Sequence, residues 1–247
     1  MGSPQIVGLA EVENGYVLDE LCNGTPLRKL NYGYIHYDSP DRRGIDCALL
    51  YRKDEVKVFA ATPIVCSDTA IQYYTRDMLL IGAVVNDRDS LYVVVCHLPS
   101  KLGGELAEEQ RRRILGMLRY TLDTISQSHP GVTVVGMGDF NADPSEPSFR
   151  EALGFVDGDT NREGFKNLMY ALDDCMGTHN YGGNWSYLDQ VIIKTKFAYK
   201  VQVFKEDFLL EADERNLTQR PKRTYRGMKY IGGYSDHLPV VLDLKEK

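Results

Sequence analysis

The chain has little cysteine, and its spacing is wrong for stapling or for holding a metal. Cys22, Cys47, Cys66, Cys96 and Cys175 are five in number, and no two form a Cys-x-x-Cys pair. That excludes a disulfide-dense scaffold and argues against a thiolate zinc centre. Cys47, Cys66 and Cys96 lie in or beside apolar runs, so free, buried thiols are expected. Long apolar runs are also missing. The longest, Met78–Val85, is broken only by Gly82 and has the length of a strand. A membrane-spanning helix needs roughly 18 apolar residues, so stable membrane insertion is not expected. Positive charge is in deficit: Lys plus Arg is 29, Asp plus Glu is 35, and the net charge is −6. That disfavours a protein that holds nucleic acid mainly through bulk positive charge. There is no internal repeat, low-complexity tract or Ser/Gly linker, which excludes a repeat array and a disordered tail.

What remains is an ordinary globular composition, 43% apolar and 26% charged over 247 residues. A chain of this size buries roughly 70–75% of its unfolded surface and needs no staples. A single domain is expected over residues 4–247, with Met1, Gly2 and Ser3 reading as a cloning remnant. Ile6-Val7-Gly8-Leu9 already reads as a buried strand, and so abrupt an opening leads us to expect a missing upstream segment. No signal peptide is visible, and secreted, periplasmic and cytoplasmic locations all stay open.

Periodicity predicts alternating strands and helices. Ile6–Ala10, Tyr32–His36, Ile45–Tyr51, Val56–Ile64, Leu79–Val85, Tyr92–Cys96 and Val132–Met137 read as strands. So do Leu188–Ile193, Tyr199–Phe204 and Leu238–Leu244. Several are near-continuous apolar runs, as in strands buried on both faces. Helices are expected over Val12–Leu21, Glu105–Ser126, Ser148–Leu153 and Gly164–Leu172. The second is the clearest, with Ile114, Leu118, Leu122 and Ile125 on one face. The pattern suggests packed sheets with helices outside.

Several buried runs stop abruptly on residues with metal or acid–base chemistry. They end at Glu11, at His97, and at Asp139 with Asn141 two residues on. Asp189 opens another run, and Asp236-His237 precedes the last. Each residue alone has a plain reading as a solvated strand end, a structural histidine or a turn. Together they have the composition of a hard-cation phosphoryl site.

Five segments carry a family resemblance: Gly8-Leu9-Ala10-Glu11-Val12, Val95-Cys96-His97-Leu98, Gly138-Asp139-Phe140-Asn141, Leu188-Asp189-Gln190-Val191 and Ser235-Asp236-His237-Leu238-Pro239. In this order the chain resembles the endonuclease/exonuclease/phosphatase superfamily, the deoxyribonuclease I-like metal-dependent phosphohydrolases. The resemblance implies an α/β fold, a four-layered sandwich of two packed mixed sheets flanked by helices. It implies Glu11 as a Mg²⁺ ligand and Asp236 as a second metal-side ligand. It implies that Asp139 and Asn141 position the attacking water and the phosphate oxygens. Asp189 would orient His237, which would face the scissile phosphate. His97 stands where abasic-site endonucleases of the superfamily use tyrosine, a feature closer to the deoxyribonuclease I, sphingomyelinase and inositol-phosphatase branches. The family's first strand, ending in an asparagine, has no counterpart ahead of Pro4.

The expected chemistry is hydrolysis of a phosphodiester by water with Mg²⁺, or Mn²⁺, as the hard cation. The base is Asp139 or the Asp189–His237 pair, and the residues alone leave both open. Arg43, Arg76 and Lys101 adjoin motif strands and are expected to bind substrate. So are Arg223 and Tyr225, in the stretch 215–229, which holds Arg215, Arg220, Lys222, Arg223, Arg226 and Lys229 with no acidic residue. A nuclease acting on nucleic acid is the first reading. A phosphatase or phosphodiesterase of the same fold, acting on a small or lipid phosphate ester, is the second. An inactive phosphate-binding module is the third.

Overall fold

The structure is a computed structural model that describes residues 2–155, 158–170, 172 and 177–246. The chain opens on strand β1 (Ile6–Val12), a short helix α1 (Gly15–Asp19), and strands β2 (Tyr32–His36) and β3 (Asp46–Arg52). Next come β4 (Val56–Ile64), β5 (Met78–Val85) and β6 (Asp89–His97). The long helix α2 (Gly104–Ser128) leads to β7 (Thr133–Asp139) and helix α3 (Pro147–Leu153). Short strands β8 (Lys166–Asn167), β9 (His179–Tyr181) and β10 (Asn184–Ser186) precede β11 (Asp189–Lys194) and β12 (Ala198–Val203). Two small hairpins follow, β13 (Leu210–Asp213) with β14 (Thr218–Pro221), and β15 (Tyr225–Arg226) with β16 (Lys229–Tyr230). Strand β17 (Val240–Lys245) is the last element.

One sheet has six strands in the order β4-β5-β6-β7-β11-β8. All its neighbours are antiparallel except β6 and β7, which are parallel. A parallel pair needs a long crossover, and α2 supplies it. Its apolar face, with Ile114, Leu115, Leu118 and Leu122, is buried against Val94, Cys96 and Val134. Strands β2, β3 and β1 form a second, antiparallel sheet, and β12 and β17 form a separate pair. Both lie across the other face of the six-stranded sheet. Cys47 and Leu49 of β3 pack on Leu79, Ile81, Val93 and Val95. Val240 and Leu242 of β17 pack on Val135, Val191 and Ile193. Leu18 and Cys22 cover the outside of β3 through Ala48 and Leu50. The result is helix, sheet, sheet, helix: the four layers that the family resemblance implies.

Two expected helices come out differently. The Val12–Leu21 helix is shorter, because β1 runs to Val12 and Asn14 caps α1 by accepting from the Val17 amide at 3.1 Å. A π-turn over Glu20–Gly24 extends it. Gly164–Leu172 is not helical over its described residues, 164–170 and 172. Lys166 and Asn167 pair with β11, and asparagine side chains bend the chain around them. Asn161 Oδ1 accepts from the Phe165 amide and Asn167 Oδ1 from the Met169 amide. Such local bonds compete with the helical ladder. Cys22, Cys47, Cys66 and Cys96 are free and buried, as expected, and Cys175 lies outside the described residues.

Candidate active site

The parallel register of β6 and β7 sets His97 directly opposite Asp139, with both strands ending there. The antiparallel register of β7 and β11 sets Asp189 opposite Asp139 on the other side. Three chemically active side chains therefore share one sheet rim, where open sheets place sites. The strand-to-loop turn after β7 has little freedom. Gly138 has φ of 133°, and a Cβ there would lie 2.0 Å from the Cys96 carbonyl oxygen, so only glycine fits. Asn141 is buried in the left-handed region at φ 47°. Its amide donates to Asp139 Oδ1 at 2.8 Å, and its Nδ2 donates to Asp139 Oδ2 at 3.1 Å and to the Leu98 carbonyl at 2.9 Å.

His237 reaches this rim from the loop before β17. Its Nδ1 lies 2.7 Å from Asp189 Oδ2, and its Nε2 faces Asp139 Oδ2 at 4.0 Å. His97 Nε2 faces the same oxygen at 3.6 Å. Asp139, Asp189 and His237 each offer a ligating atom, all within 4.8 Å of one another. Sequence reasoning missed His179. It bridges to His237 through the backbone, and their rings lie 4.8 Å apart at 42°. Its only trace in the sequence is the pair Thr178-His179 in a stretch without periodicity.

Burial makes these groups unlike their free forms. Asp139 is pushed up to about 7, first by burial and next by the Asp189 charge, with His237 opposing. Burial, joined by Arg76, Arg43 and His237, pulls His97 down to about 2. His97 is therefore a neutral ring, and its contact with Asp139 is a dipole facing a carboxyl rather than an ion pair. Burial also pulls on His237, but the hydrogen bond and charge of Asp189, then Asp139 and Asp236, outweigh it and raise the imidazole to about 9. His179 is lowered, by burial first and then by His237. At neutral pH the rim thus holds a cationic His237, a neutral His97 and an Asp139 close to its own titration.

The other predicted site residues sit around this centre. Glu11, Lys101, Arg223, Tyr225 and Asp236 line the same cleft, of about 1880 Å³, as Asp139 and His237. Glu11 adopts φ of 59° at a bulge in β1, an uncommon conformation for a non-glycine residue, and pairs with Arg43 at 2.8 Å. Asp236 pairs with Arg223 at 3.8 Å, and Lys101 with Glu146. Neither Glu11 nor Asp236 joins a three-residue ligand group among the described residues. Arg76 is not at the cleft surface. It is buried, donates through Nε to the His97 carbonyl at 2.7 Å and through a second nitrogen to the Leu98 carbonyl, and pairs with Asp41. Its donors fix the end of β6 and leave none aimed at a substrate.

The centre suits a hard divalent cation. Its carboxylate oxygens are the donors such an ion takes, and Asp139 is a half-buried carboxylate whose facing cation, His237 Nε2, stands off at 4.0 Å. A cation there would offset the burial that raises it.

The sequence matches the Endonuclease/Exonuclease/phosphatase family over residues 2–246. No curated protein matches it. Among solved structures, the catalytic domain of human Nocturnin with bound sulfate has a TM-score of 0.64 at 18% identity, with 98% of this chain and 82% of that one covered. Zebrafish (D. rerio) TDP2 complexed with a single-strand DNA product has a TM-score of 0.60 at 17% identity, covering 96% and 84%. A mannosyl-6-phosphatase of Bacteroides thetaiotaomicron has a TM-score of 0.61 at 15% identity, covering 98% and 85%. A half-buried Asp139–Asp189–His237 cluster at the rim of a two-sheet sandwich, and a match across nearly the whole chain, agree: the chain belongs to the Endonuclease/Exonuclease/phosphatase family of phosphohydrolases.

Proposed function

We propose that the chain is a Mg²⁺-dependent phosphodiester hydrolase acting on nucleic acid, with Mn²⁺ able to replace Mg²⁺. The observation that carries this is the convergence of Asp139, Asp189, His237 and neutral His97 at one rim. Asp139, titrating near neutrality, takes the proton of the attacking water. Asp189 holds His237 Nδ1, so Nε2–H of the cationic ring faces the phosphate and stabilises its developing charge. His97 donates a hydrogen bond to a phosphoryl oxygen, and Asn141 keeps the Asp139 carboxyl in one orientation. Glu11 and Asp236 would hold the cation from the rim. Bound there, it would neutralise phosphate charge and stabilise the leaving oxygen.

Two further observations support a polyanion. Arg223 Nε and Trp185 Nε1 are buried donors without a partner among the described residues, and both residues line the cleft. Tyr225, Tyr230 and Tyr234 are exposed beside Arg223, Arg226 and Lys229, an arrangement that suits stacking on unpaired bases. A small phosphate ester is the second reading, favoured by the pairing of Arg220 and Arg226 with Glu211, which spends charge in that segment. A parallel assay separates them, offering single-stranded DNA, plasmid, bis-p-nitrophenyl phosphate and a sugar phosphate with Mg²⁺, Mn²⁺ or EDTA. Cation-dependent cleavage of DNA is expected. Turnover of the sugar phosphate alone would overturn the nuclease reading, and no turnover of any substrate would favour the inactive module.

A further inference from the structure

The chain between β2 and β3, residues 37–45, has no regular structure and lies at the end of the second sheet that carries Glu11. Asp46 pins its first half. Oδ1 accepts from the Ser39 amide at 3.0 Å and from the Ser39 hydroxyl, and Oδ2 faces His36 Nε2 at 3.1 Å. Asp41 pins the second half, and its partners belong to both layers. Oδ1 accepts from the Arg43 amide at 2.8 Å. Oδ2 accepts from the backbone amide of Arg76 at 3.2 Å and from its guanidinium at 3.4 Å, and Arg76 leads into β5 of the six-stranded sheet. The Asp41 side chain is only 5% exposed. A carboxylate at that depth costs stability unless its oxygens are bonded, and here both are.

Each oxygen leads to the rim. An aspartate that accepts from the amide two residues on forms a local turn, and this one sets Arg43, whose guanidinium reaches Glu11 Oε1 at 2.8 Å. On the other side, the Arg76 fork holds the His97 carbonyl at 2.7 Å and the Leu98 carbonyl together. The Leu98 peptide is the junction. Its carbonyl also accepts from Asn141 Nδ2 at 2.9 Å, and its amide donates to the Asp139 carbonyl at 2.9 Å. Asn141 in turn donates to both Asp139 carboxyl oxygens. A planar guanidinium spans two successive carbonyls only while its plane is fixed. Asp41 Oδ2 fixes it by bonding the backbone and the head of the same arginine. It also balances the charge of a buried arginine, which would otherwise stand uncompensated close to His97 and Leu98.

Building on the hydrolase reading, we propose that Asp41 is a positioning residue of this site: its carboxylate tethers Arg43 beside Glu11 and, through Arg76 and the Leu98 peptide, sets the turn that aims Asp139. It acts through these residues and not on the substrate. The two ends of the tether are the edge that would hold the cation and the group that would take the proton of water, so one buried carboxylate fixes their spacing across two sheets.

The test compares Asp41→Asn, the double variant Asp41→Asn with Arg76→Gln, and Ser39→Ala on the whole protein. The single Asp41 variant leaves the buried Arg76 charge without its partner and is expected to lose stability. The double variant removes both charges at similar shape, so it should melt close to the wild type and keeps the test readable if the single one does not fold. Ser39→Ala loosens the other half of the same loop. Two quantities are read: hydrogen exchange of the Asn141 amide, without metal or substrate, and kcat and KM for bis-p-nitrophenyl phosphate with Mg²⁺. In the double variant the Asn141 amide should exchange about tenfold faster, and kcat should fall by about 10–100-fold with KM within about twofold, the reach of a misplaced catalytic group. Ser39→Ala should move neither. Wild-type exchange or wild-type kcat in the folded double variant would reduce Asp41 and Arg76 to a structural pair and overturn the proposal. Equal effects in Ser39→Ala would overturn it too, by showing general loosening of the loop. If the wild type hydrolyses no ester, the hydrolase reading falls by itself, and the exchange of Asn141 still decides whether Asp41 holds the turn.

Discussion

The rim around Asp139 and His237 has two sides that handle charge in opposite ways. On the sheet side, Asp139, Asp189, His97 and Asn141 sit at the ends of buried strands, and burial rather than pairing dominates the Asp139 and His97 shifts. On the outer side, charges cancel in pairs: Glu11 with Arg43, Asp236 with Arg223, Lys101 with Glu146. The first arrangement costs stability and holds reactive groups ready. The second costs little, since half-exposed pairs are worth about 0–1 kcal/mol and separate easily when a ligand competes. On the proposed function, the contrast would separate residues that perform chemistry from residues that receive the cation and substrate.

The largest break in that contrast is Asp139→Asn. It should lower the hydrolysis rate of bis-p-nitrophenyl phosphate by about 10²–10⁴-fold, the usual reach of a general base. It should also stabilise the protein at pH 8. The folded pKa of Asp139 lies above its unfolded value, so the wild type loses stability as pH rises from about 4 through about 7. Melting curves at pH 8 should show the variant higher by about 2–4 °C per kcal/mol relieved, and no gain at pH 4. Loss of stability at pH 8 would mean that the buried carboxylate is paid for elsewhere.

The next effect is on pH dependence. The wild-type rate should rise as Asp139 ionises, at a pH below its metal-free value of about 7 because the bound cation favours the carboxylate, and fall as His237 loses its proton near 9, giving a bell. In Asp189→Asn the alkaline limb should move to lower pH, because Asp189 provides the bond and the nearest charge that raise His237. An unmoved limb would detach His237 from that limb. A smaller effect belongs to the aromatic hairpin. Tyr225→Ala should raise KM for single-stranded DNA by about 5–150-fold, from a stacking contribution of roughly 1–3 kcal/mol, and leave the small ester unchanged. The smallest is Arg43→Ala. Freeing Glu11 should lower the Mg²⁺ concentration for half-maximal rate by a few-fold, consistent with a pair of about 0–1 kcal/mol.

Much of this was legible in the residues, for reasons that differ by element. The buried strands announce themselves because Val93-Val94-Val95 or Val191-Ile192-Ile193 can lie only inside a sheet. The polar residue that bounds such a run then falls on the rim, which is how His97 and Asp139, at the ends of theirs, and Asp189, at the start of its own, could be found. Neighbours in a motif are harder. Asp236 and His237 read as one unit, but His237 turns inward to Asp189 while Asp236 turns toward Arg223. Arg76 looked like a substrate contact because it precedes a strand, yet its side chain goes under the surface to hold backbone carbonyls. His179 gave no signal, since its three-residue strand is held by tertiary contacts rather than by its own pattern.

The one-to-one register of β6 on β7 has a consequence for how this protein can be altered. The partnership of His97 with Asp139 is kept by seven consecutive residue pairs, from Leu91 with Thr133 onward, and not by the length of the crossover. The turn after α2, around His129 and Gly131, is exposed and far along the strands from the rim. An inserted loop there, even a small foreign domain, should leave the catalytic spacing untouched. The far end of the crossover is therefore the natural port for tethering a reporter or a targeting module to this enzyme.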